Sequence, residues 1–280
     1  DRVVTGRSGD AGAQELDDLI AMIFDQHETA RYLCRKLYRW FVYYLIDDQV
    51  ERTVIARMAD LLRASHYEVK PVLRLLLRSA HFFDPVNMGC MIKSPLDLTV
   101  GMVREFDMAI PAADLVQEYT FLLYLVTQAS AMQQYLGQPP DVAGWSAYYQ
   151  SPQYYELWIN SDTLPRRTRL STTLARTGYT TGGATLIIDP LAFAAGLTMP
   201  EEPNRLIDEL CEYLYALPLT AGQKAFLKNT LIPGLPDYEW TVEWMDYVNE
   251  PANPLKAAPV KTKLQTLLSI MMQMPEYQLH

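Results

Sequence analysis

The segment from Pro139 to Leu170 concentrates the side chains that could bind a ligand. It reads PPDVAGWSAYYQSPQYYELWINSDTLPRRTRL and places aromatic rings beside amide, acidic and basic groups. Aromatic faces with a few converging polar groups are typical of sites for sugars and peptides. The candidate ligand-binding residues are Trp145, Tyr148, Tyr149, Tyr154, Trp158, Asn160, Asp162, Arg166 and Arg167.

The same rings could instead fix a structural loop. Prolines stiffen the entry to the segment and Gly144 permits a tight turn, so we expect a long ordered loop over 135–163. In one interpretation Trp145, Tyr155 and Trp158 fill gaps between helices. In the other, rings stay exposed as a platform for a sugar or peptide, with the amide, acid and arginines as polar arms. Both interpretations remain open, because tryptophans can anchor the loop while tyrosines face solvent.

A second candidate site is a basic row on one predicted helix. Arg31, Arg35 and Arg39 recur at every fourth residue, which places them on one helix face. Such a row could hold an anion. It could equally be a solvated face that pairs with acids of neighbouring helices, as amphipathic helices commonly do.

Most well-known catalytic signatures are missing from the sequence. There is no GxGxxG, P-loop, GxSxG or CxxC, and the four histidines form neither HxxxH nor HExxH. We therefore predict no metal and no cofactor, and the catalytic residues, if the chain has any, are unknown. The sequence also leaves open whether any two of Cys34, Cys90 and Cys211 pair.

Composition and charge describe a globular, acidic chain. Of its 280 residues 49% are hydrophobic and 20% charged, which is typical of a folded protein. The net charge of −9 argues against nucleic-acid binding and against docking on anionic lipid. No apolar run approaches the roughly 20 residues of a membrane span. The chain starts at Asp1 and shows no leader, which says little about its compartment.

Apolar residues recur mainly with the 3.6-residue period of a helix. The pattern predicts an all-α protein: an irregular multi-helix bundle of about ten helices with one long ordered aromatic loop, and under about a tenth of residues in strands. Ser94-Pro95-Leu96-Asp97 is typical of a helix start, with a hydroxyl cap and an acid three residues on. The segment TLIID resembles a strand only briefly. The last four predicted helices cover 203–216, 220–231, 238–249 and 259–274.

The pattern also suggests a division of the chain. Residues 1–178 read as one helical domain that includes the aromatic loop. Residues 179–202 are expected to be a linker or irregular segment. Residues 203–280 are expected to form an acidic helical region that packs on the first domain.

Five blocks of the sequence together resemble a known family. They read ETARYLCRKLYRWFV, LRLLLRSAHFF, KSPLDLTVGMVR, LGQPPDVAGW and LWINSDTLPRR, and occur in the family's order between about Gly6 and Arg169. The sequence resembles the large bacterial family known as domain of unknown function 1800. The version with YYELWINSDTLP is most similar to those of Bacteroidetes, and the chain resembles the C-terminal part of longer members.

The resemblance implies a setting rather than a reaction. It implies an exported bacterial protein, periplasmic or at the cell surface, often encoded beside a sulfatase-like partner family. It carries over no catalytic or cofactor residue. Two functions therefore compete: a non-catalytic helical binding or assembly module, docking a sulfatase-like partner, and a hydrolase or carbohydrate-processing enzyme with its site at the aromatic loop.

Overall fold

The computed structural model describes residues 3–280, and their architecture is helical. Helices account for 63% of the chain and the sheet has two strands. The prediction of an all-α fold is therefore confirmed, and about ten helices was a close estimate. None of the helices in the described part of the chain is long and apolar enough to cross a membrane.

The chain divides into two compact units, Asp1–Met88 and Gly89–His280. The sequence-based boundaries at 178 and 203 both lie inside the second unit. The basic row of Arg31, Arg35 and Arg39 belongs to the first unit, and the aromatic segment from Pro139 to Leu170 belongs to the second.

The first unit consists of short helices. They are α1 (Ala13–Phe24), α2 (His27–Phe41), α3 (Asp48–Val50), α4 (Ala56–Ala64) and α5 (Val69–Leu77), with a π-helical turn at Glu51–Ile55 and 3-10 turns at Gly9–Gly12 and Pro85–Asn87. Their core includes Cys34, Tyr38 and Met58, each at most 1% exposed. The buried Tyr38 hydroxyl shares a 2.8 Å hydrogen bond with Nε2 of His81, which satisfies a polar group in an apolar setting.

The second unit contains the remaining helices and the sheet. Its elements are α6 (Pro95–Glu105), α7 (Leu115–Ala131), α8 (Ser146–Tyr149), α9 (Thr163–Arg176), β1 (Tyr179–Thr181), β2 (Ala184–Leu186), α10 (Pro190–Ala195), α11 (Pro203–Leu214), α12 (Ala221–Leu231), α13 (Asp237–Asn249) and α14 (Pro254–Met271). 3-10 turns lie at Tyr154–Trp158 and Pro275–Gln278. Trp240, Leu264 and Leu267 are fully buried in its core.

The predicted start of α6 is confirmed in detail. Ser94 Oγ accepts a hydrogen bond from the Asp97 backbone N–H, and the Asp97 carboxylate accepts one from the Ser94 N–H, at 3.2 and 3.0 Å. This reciprocal capping box satisfies two donors that would otherwise lack partners at the helix start. It therefore fixes where the chain turns into α6.

Residues 179–202, expected to be a linker or irregular segment, contain defined structure. β1 and β2 form an antiparallel hairpin, and α10 follows it. Leu186 and Ile188 are completely buried in the core of the second unit. Because Gly178 adopts φ +70, the chain can reverse sharply between α9 and the hairpin.

Several helix boundaries differ from those predicted. α7 begins at Leu115, where the Asp114 carboxylate caps it by accepting from the Gln117 N–H. α14 begins at Pro254 rather than at Pro259, with the Asn253 side chain accepting from a first-turn N–H. Pro259 therefore lies inside the helix, where its missing N–H removes one i→i−4 hydrogen bond.

None of the three cysteines, all within the described residues, forms a disulfide bond. Cys34 and Cys211 are buried, and burial raises the pKa of each thiol to about 11. A thiol with a raised pKa is a poor nucleophile at neutral pH, so both behave as small apolar core residues.

Candidate functional site

A groove of about 440 Å³ lies between the end of α7 and the aromatic segment. Its volume is within the range of small-ligand sites. Pro140, Ala147 and Leu157 form apolar parts of its wall. The side chains with rings or hydrogen-bonding groups are Ser130, Gln133, Tyr135, Gln138, Trp145, Ser146 and Trp158.

Gln134 ties the groove to the start of α6. It is 2% exposed, and its Oε1 accepts a 2.8 Å hydrogen bond from the Leu96 N–H. Its Nε2 donates to the Tyr148 hydroxyl at 2.9 Å. One buried amide therefore holds the chain after α7, the first turn of α6 and an aromatic residue of the segment in a single arrangement.

The rings of the segment divide into anchors and partly exposed residues. Trp158 is 3% exposed and Tyr155 is 8% exposed, whereas Trp145 is half-buried in the groove wall. The Tyr148 ring packs edge-on against Trp158 at 5.5 Å between centroids, and against Trp145 at 6.3 Å. Burial raises the pKa of the Tyr148 hydroxyl. Trp158 and Tyr155 are therefore buried, whereas Tyr148 is 40% exposed, so exposure differs from ring to ring along the segment.

Two further tyrosines of the predicted set do not line the groove. Tyr149 is 40% exposed and its hydroxyl donates to the Asp141 carboxylate, which chiefly raises the pKa of that tyrosine. Tyr154 is half-buried at the start of the 3-10 turn and has a left-handed backbone, φ 46. These two rings shape the loop beside the groove.

The predicted polar arms are used to start α9. Asn160 Oδ1 accepts from the Asp162 and Thr163 N–H groups at 2.9 Å each, so Asn160 rather than Asp162 supplies the capping oxygen. Asp162 forms a 3.0 Å ion pair with Arg166, one helical turn away. Both partners are about half-exposed, so this pair contributes little stability.

Arg167 lies in the core rather than in the groove. It is completely buried, and its guanidinium donates to the Lys93 carbonyl at 2.7 Å and to Gln278 Oε1 at 3.3 Å. Its Nε has no hydrogen-bond partner in the part of the chain that the structure describes. Burial lowers the pKa of Arg167 to about 10, while Asp97 acts in the opposite direction. Arg167 therefore connects α9 with the segment before α6 and with the 3-10 turn at Pro275–Gln278.

The network around Arg167 includes an ion pair of low exposure. Lys93 Nζ lies 3.4 Å from Glu105 Oε1 and 4.1 Å from the centroid of the Tyr277 ring. The Tyr277 hydroxyl donates to Glu105 Oε2 at 2.6 Å. Burial and Glu105 raise the pKa of Tyr277 well above its ordinary value, so this phenol stays protonated and donates its hydrogen bond throughout the physiological range.

The basic row on α2 is largely neutralised. Arg35 donates two hydrogen bonds to the Glu51 carboxylate, at 2.7 and 2.8 Å, and a third to Glu28 at 2.5 Å. Arg31 lies 3.7 Å from Glu51, and Arg39 donates to the Tyr44 carbonyl at 3.3 Å. The row ties α2 to the π-helical turn, as expected of a solvated face with acidic neighbours.

A protein-family model matches almost the whole chain. The model described as "Protein of unknown function (DUF1800)" matches residues 1–279. The chain belongs to this DUF1800 family. The match extends past Arg169 and includes the hairpin and α10 to α14, where the resemblance of the sequence blocks ended. No curated protein and no solved structure matches the chain.

The groove of this DUF1800 chain includes residues that sequence reasoning missed. Ser130, Gln133, Tyr135 and Gln138 line it, and none was a candidate. They lie at and just beyond the end of α7, where Gln133 has a left-handed backbone, φ 76. Their position in the sequence could have indicated them, because these polar residues and the tyrosine shortly precede the Pro139-Pro140 entry to the aromatic segment.

The lining residues limit what the DUF1800 groove can do chemically. They supply indole and phenol faces, two side-chain amides and two hydroxyls, with no carboxylate, imidazole, thiol or cation among the lining residues described. Elsewhere in residues 3–280, no group of three His, Cys, Asp or Glu side chains is arranged to hold a metal ion. The groove can therefore donate and accept hydrogen bonds to an uncharged ligand, but its lining offers no group that transfers a proton near neutral pH.

Proposed function

We propose that this chain is a non-catalytic helical binding module whose groove holds a neutral sugar. The observation that carries the proposal is the uncharged lining: Trp145 and Tyr135 provide accessible rings above the buried Trp158, and Gln133 and Gln138 provide amides. A sugar has apolar C–H faces that pack on rings, and hydroxyls that exchange hydrogen bonds with amides.

The lack of charge favours a neutral sugar over an acidic one. A charged group that leaves water for a groove without a counter-charge carries a large desolvation cost. The hydroxyls of a sugar carry a much smaller desolvation cost, because protein groups can replace the water that they lose. These groups are the amides of Gln133 and Gln138 and the hydroxyls of Ser130 and Ser146. The groove should therefore discriminate between neutral and acidic saccharides of similar size.

Binding without catalysis is favoured by the position of the acids. Glycoside hydrolysis uses two carboxyl groups on either side of the bond that is cleaved. Asp141, the acid of the loop that leads into the groove, accepts from the Ala143 N–H and from the Tyr149 hydroxyl, and it does not line the groove. We therefore prefer a binding module to a carbohydrate-processing enzyme.

The setting proposed for this module comes from the family resemblance. We propose that the chain acts outside the bacterial cytoplasm and docks a sulfatase-like partner protein. Its net charge of −9 and acidic pI suit a partner with a basic face. Affinity purification of the tagged chain from its native host, with mass spectrometry of the exported fraction, tests this; recovery of no sulfatase-like protein would overturn the partner.

Titration of the 280-residue chain with neutral and acidic oligosaccharides tests the sugar. Tyr135→Ala and Trp145→Ala should each weaken binding at least tenfold, because each removes a ring from the groove. Trp40→Ala is the matched control, because Trp40 is 57% exposed and belongs to the first unit. If no neutral sugar binds, if acidic sugars or peptides bind better at the groove, or if Trp40→Ala has the same effect, the proposal fails.

A further inference from the structure

A second row of basic residues runs along α5. Lys70 and Arg74 of α5 and Arg78, the residue that follows its last turn, recur at every fourth position and are exposed. With a helical rise of about 1.5 Å per residue, each α-carbon lies about 6 Å further along the axis than the one before. The row therefore presents three positive charges over about 12 Å.

These three charges have no acidic partner. In the part of the chain that the structure describes, no carboxylate lies within ion-pair distance of Lys70, Arg74 or Arg78. The row on α2 has the same spacing, yet Glu51 and Glu28 neutralise its central arginine. Equal spacing in the sequence thus corresponds to a neutralised row on α2 and a free row on α5, although the whole chain is acidic.

The free row borders a shallow groove of about 670 Å³. Pro71, Leu75 and Ser79 line the groove as a row parallel to the basic row, and Glu68 lines it just before α5 begins. Leu75 is 42% exposed. An extended ligand that lies along α5 can therefore place its charges against the basic row while an apolar face contacts Pro71 and Leu75.

We propose that this groove binds an anionic polysaccharide that carries repeated sulfate or carboxylate groups. Arginine guanidinium groups form paired hydrogen bonds with planar or tetrahedral anions, and lysine adds a point charge. A small single anion would engage only part of a row of this length, whereas a polymer engages all three residues. The site is separate from the neutral groove of the second unit, and the inference does not rest on the function proposed there.

The lining favours a polysaccharide over other polyanions. Proteins that bind single-stranded nucleic acid stack bases on aromatic side chains, and the residues that line this groove include none. Anionic lipid surfaces are typically recognised by clusters of about four to eight basic residues, more than this row contains.

The test compares two variants with the same change in charge. The first is the triple variant Lys70→Gln, Arg74→Gln and Arg78→Gln. The matched control is Arg52→Gln, Arg57→Gln and Lys261→Gln, which removes three exposed charges elsewhere. Glutamine has a helix propensity close to that of lysine and arginine, so both variants should fold and melt like the wild type.

Binding of the 280-residue chain is measured with dextran sulfate, alginate, uncharged dextran and a single-stranded DNA oligonucleotide. We expect dextran sulfate or alginate to bind, dextran not to bind, and the α5 variant to lose at least tenfold in affinity. The control should change less than about threefold, and only the α5 variant should show a weaker dependence on salt. Lack of binding to both acidic polysaccharides, equal losses in the two variants, or tighter binding of DNA at the row would each overturn the proposal.

Discussion

Trp158 should be the main anchor of the groove, and its removal should strongly lower the free energy of unfolding. The side chain is 3% exposed, and large aromatic residues bury about 150–250 Å². At about 25 cal/mol per Å² the lost burial amounts to about 4–6 kcal/mol before the part that alanine retains is subtracted. We therefore expect Trp158→Ala to lower the free energy of unfolding by about 3–5 kcal/mol.

For the neighbouring rings, the loss of unfolding free energy on substitution should increase with the buried fraction of the ring. Trp145 is only partly buried, so Trp145→Ala should lower the free energy of unfolding by less than Trp158→Ala does. Tyr149 is 40% exposed and held by one hydrogen bond at the surface, so Tyr149→Phe should change it by about 0.5 kcal/mol. The structure therefore predicts that the loss of unfolding free energy decreases in the order Trp158, Trp145, Tyr149.

Urea melts followed by circular dichroism measure this order, with Trp158→Phe as a control that retains a ring. Trp158→Phe should recover part of the loss, because an aromatic ring can still contact Tyr148. If Trp158→Ala melts like the wild type, the anchoring role is wrong. Equal losses for Trp158→Ala and Tyr149→Phe would show that burial does not govern the energetics of this segment.

Three further perturbations test the local structure. Gly178→Ala should destabilise by about 1–3 kcal/mol in urea melts, because a Cβ at φ +70 would clash with the Thr185 side chain and lie 2.9 Å from the Leu186 carbonyl oxygen. Gly222→Ala, in an open helical position, should stabilise slightly. Ser94→Ala should cost about 1 kcal/mol of thermal stability through loss of the capping box, and an unchanged melting temperature would contradict this. A hydrogen bond from Arg35 lowers the pKa of Glu51, so the stability it provides is present above its ordinary pKa and is lost as pH falls through the lowered value. Glu51→Gln should therefore flatten the dependence of unfolding free energy on pH at acidic pH, and an unchanged slope would refute the assignment.

Local signals in the sequence were sufficient for most of the helical fold. The start of α6 could be predicted because Ser94 and Asp97 are three residues apart and cap one another. The short α10 and the hairpin could not, because their stability comes from distant partners: Leu186 and Ile188 are buried among helices of the second unit.

The candidate sites show the same limit. Sequence composition identified the aromatic segment, but the groove also needs the residues that end α7, which Gln134 holds in place through contacts with Leu96 and Tyr148. Likewise, Arg35 is neutralised by Glu51 from another element, while the row on α5 lacks such a partner. Spacing along one helix predicts which charges share a face, and it cannot predict which of them another element neutralises.

The pairing of the two ends of the second unit has a consequence during synthesis. The Lys93 N–H donates to the Gln278 carbonyl, and Met91 and His280 exchange backbone hydrogen bonds, so the first residues of the unit pair with the last. At about 5–20 residues per second, the segment before α6 waits roughly 10–40 s on the ribosome for its partner. From its own synthesis until the end of that interval, Arg167 lacks the Gln278 oxygen that it bonds in the folded chain. The first unit can fold well before this closure, so a nascent chain should hold one finished unit and one that still needs protection from aggregation.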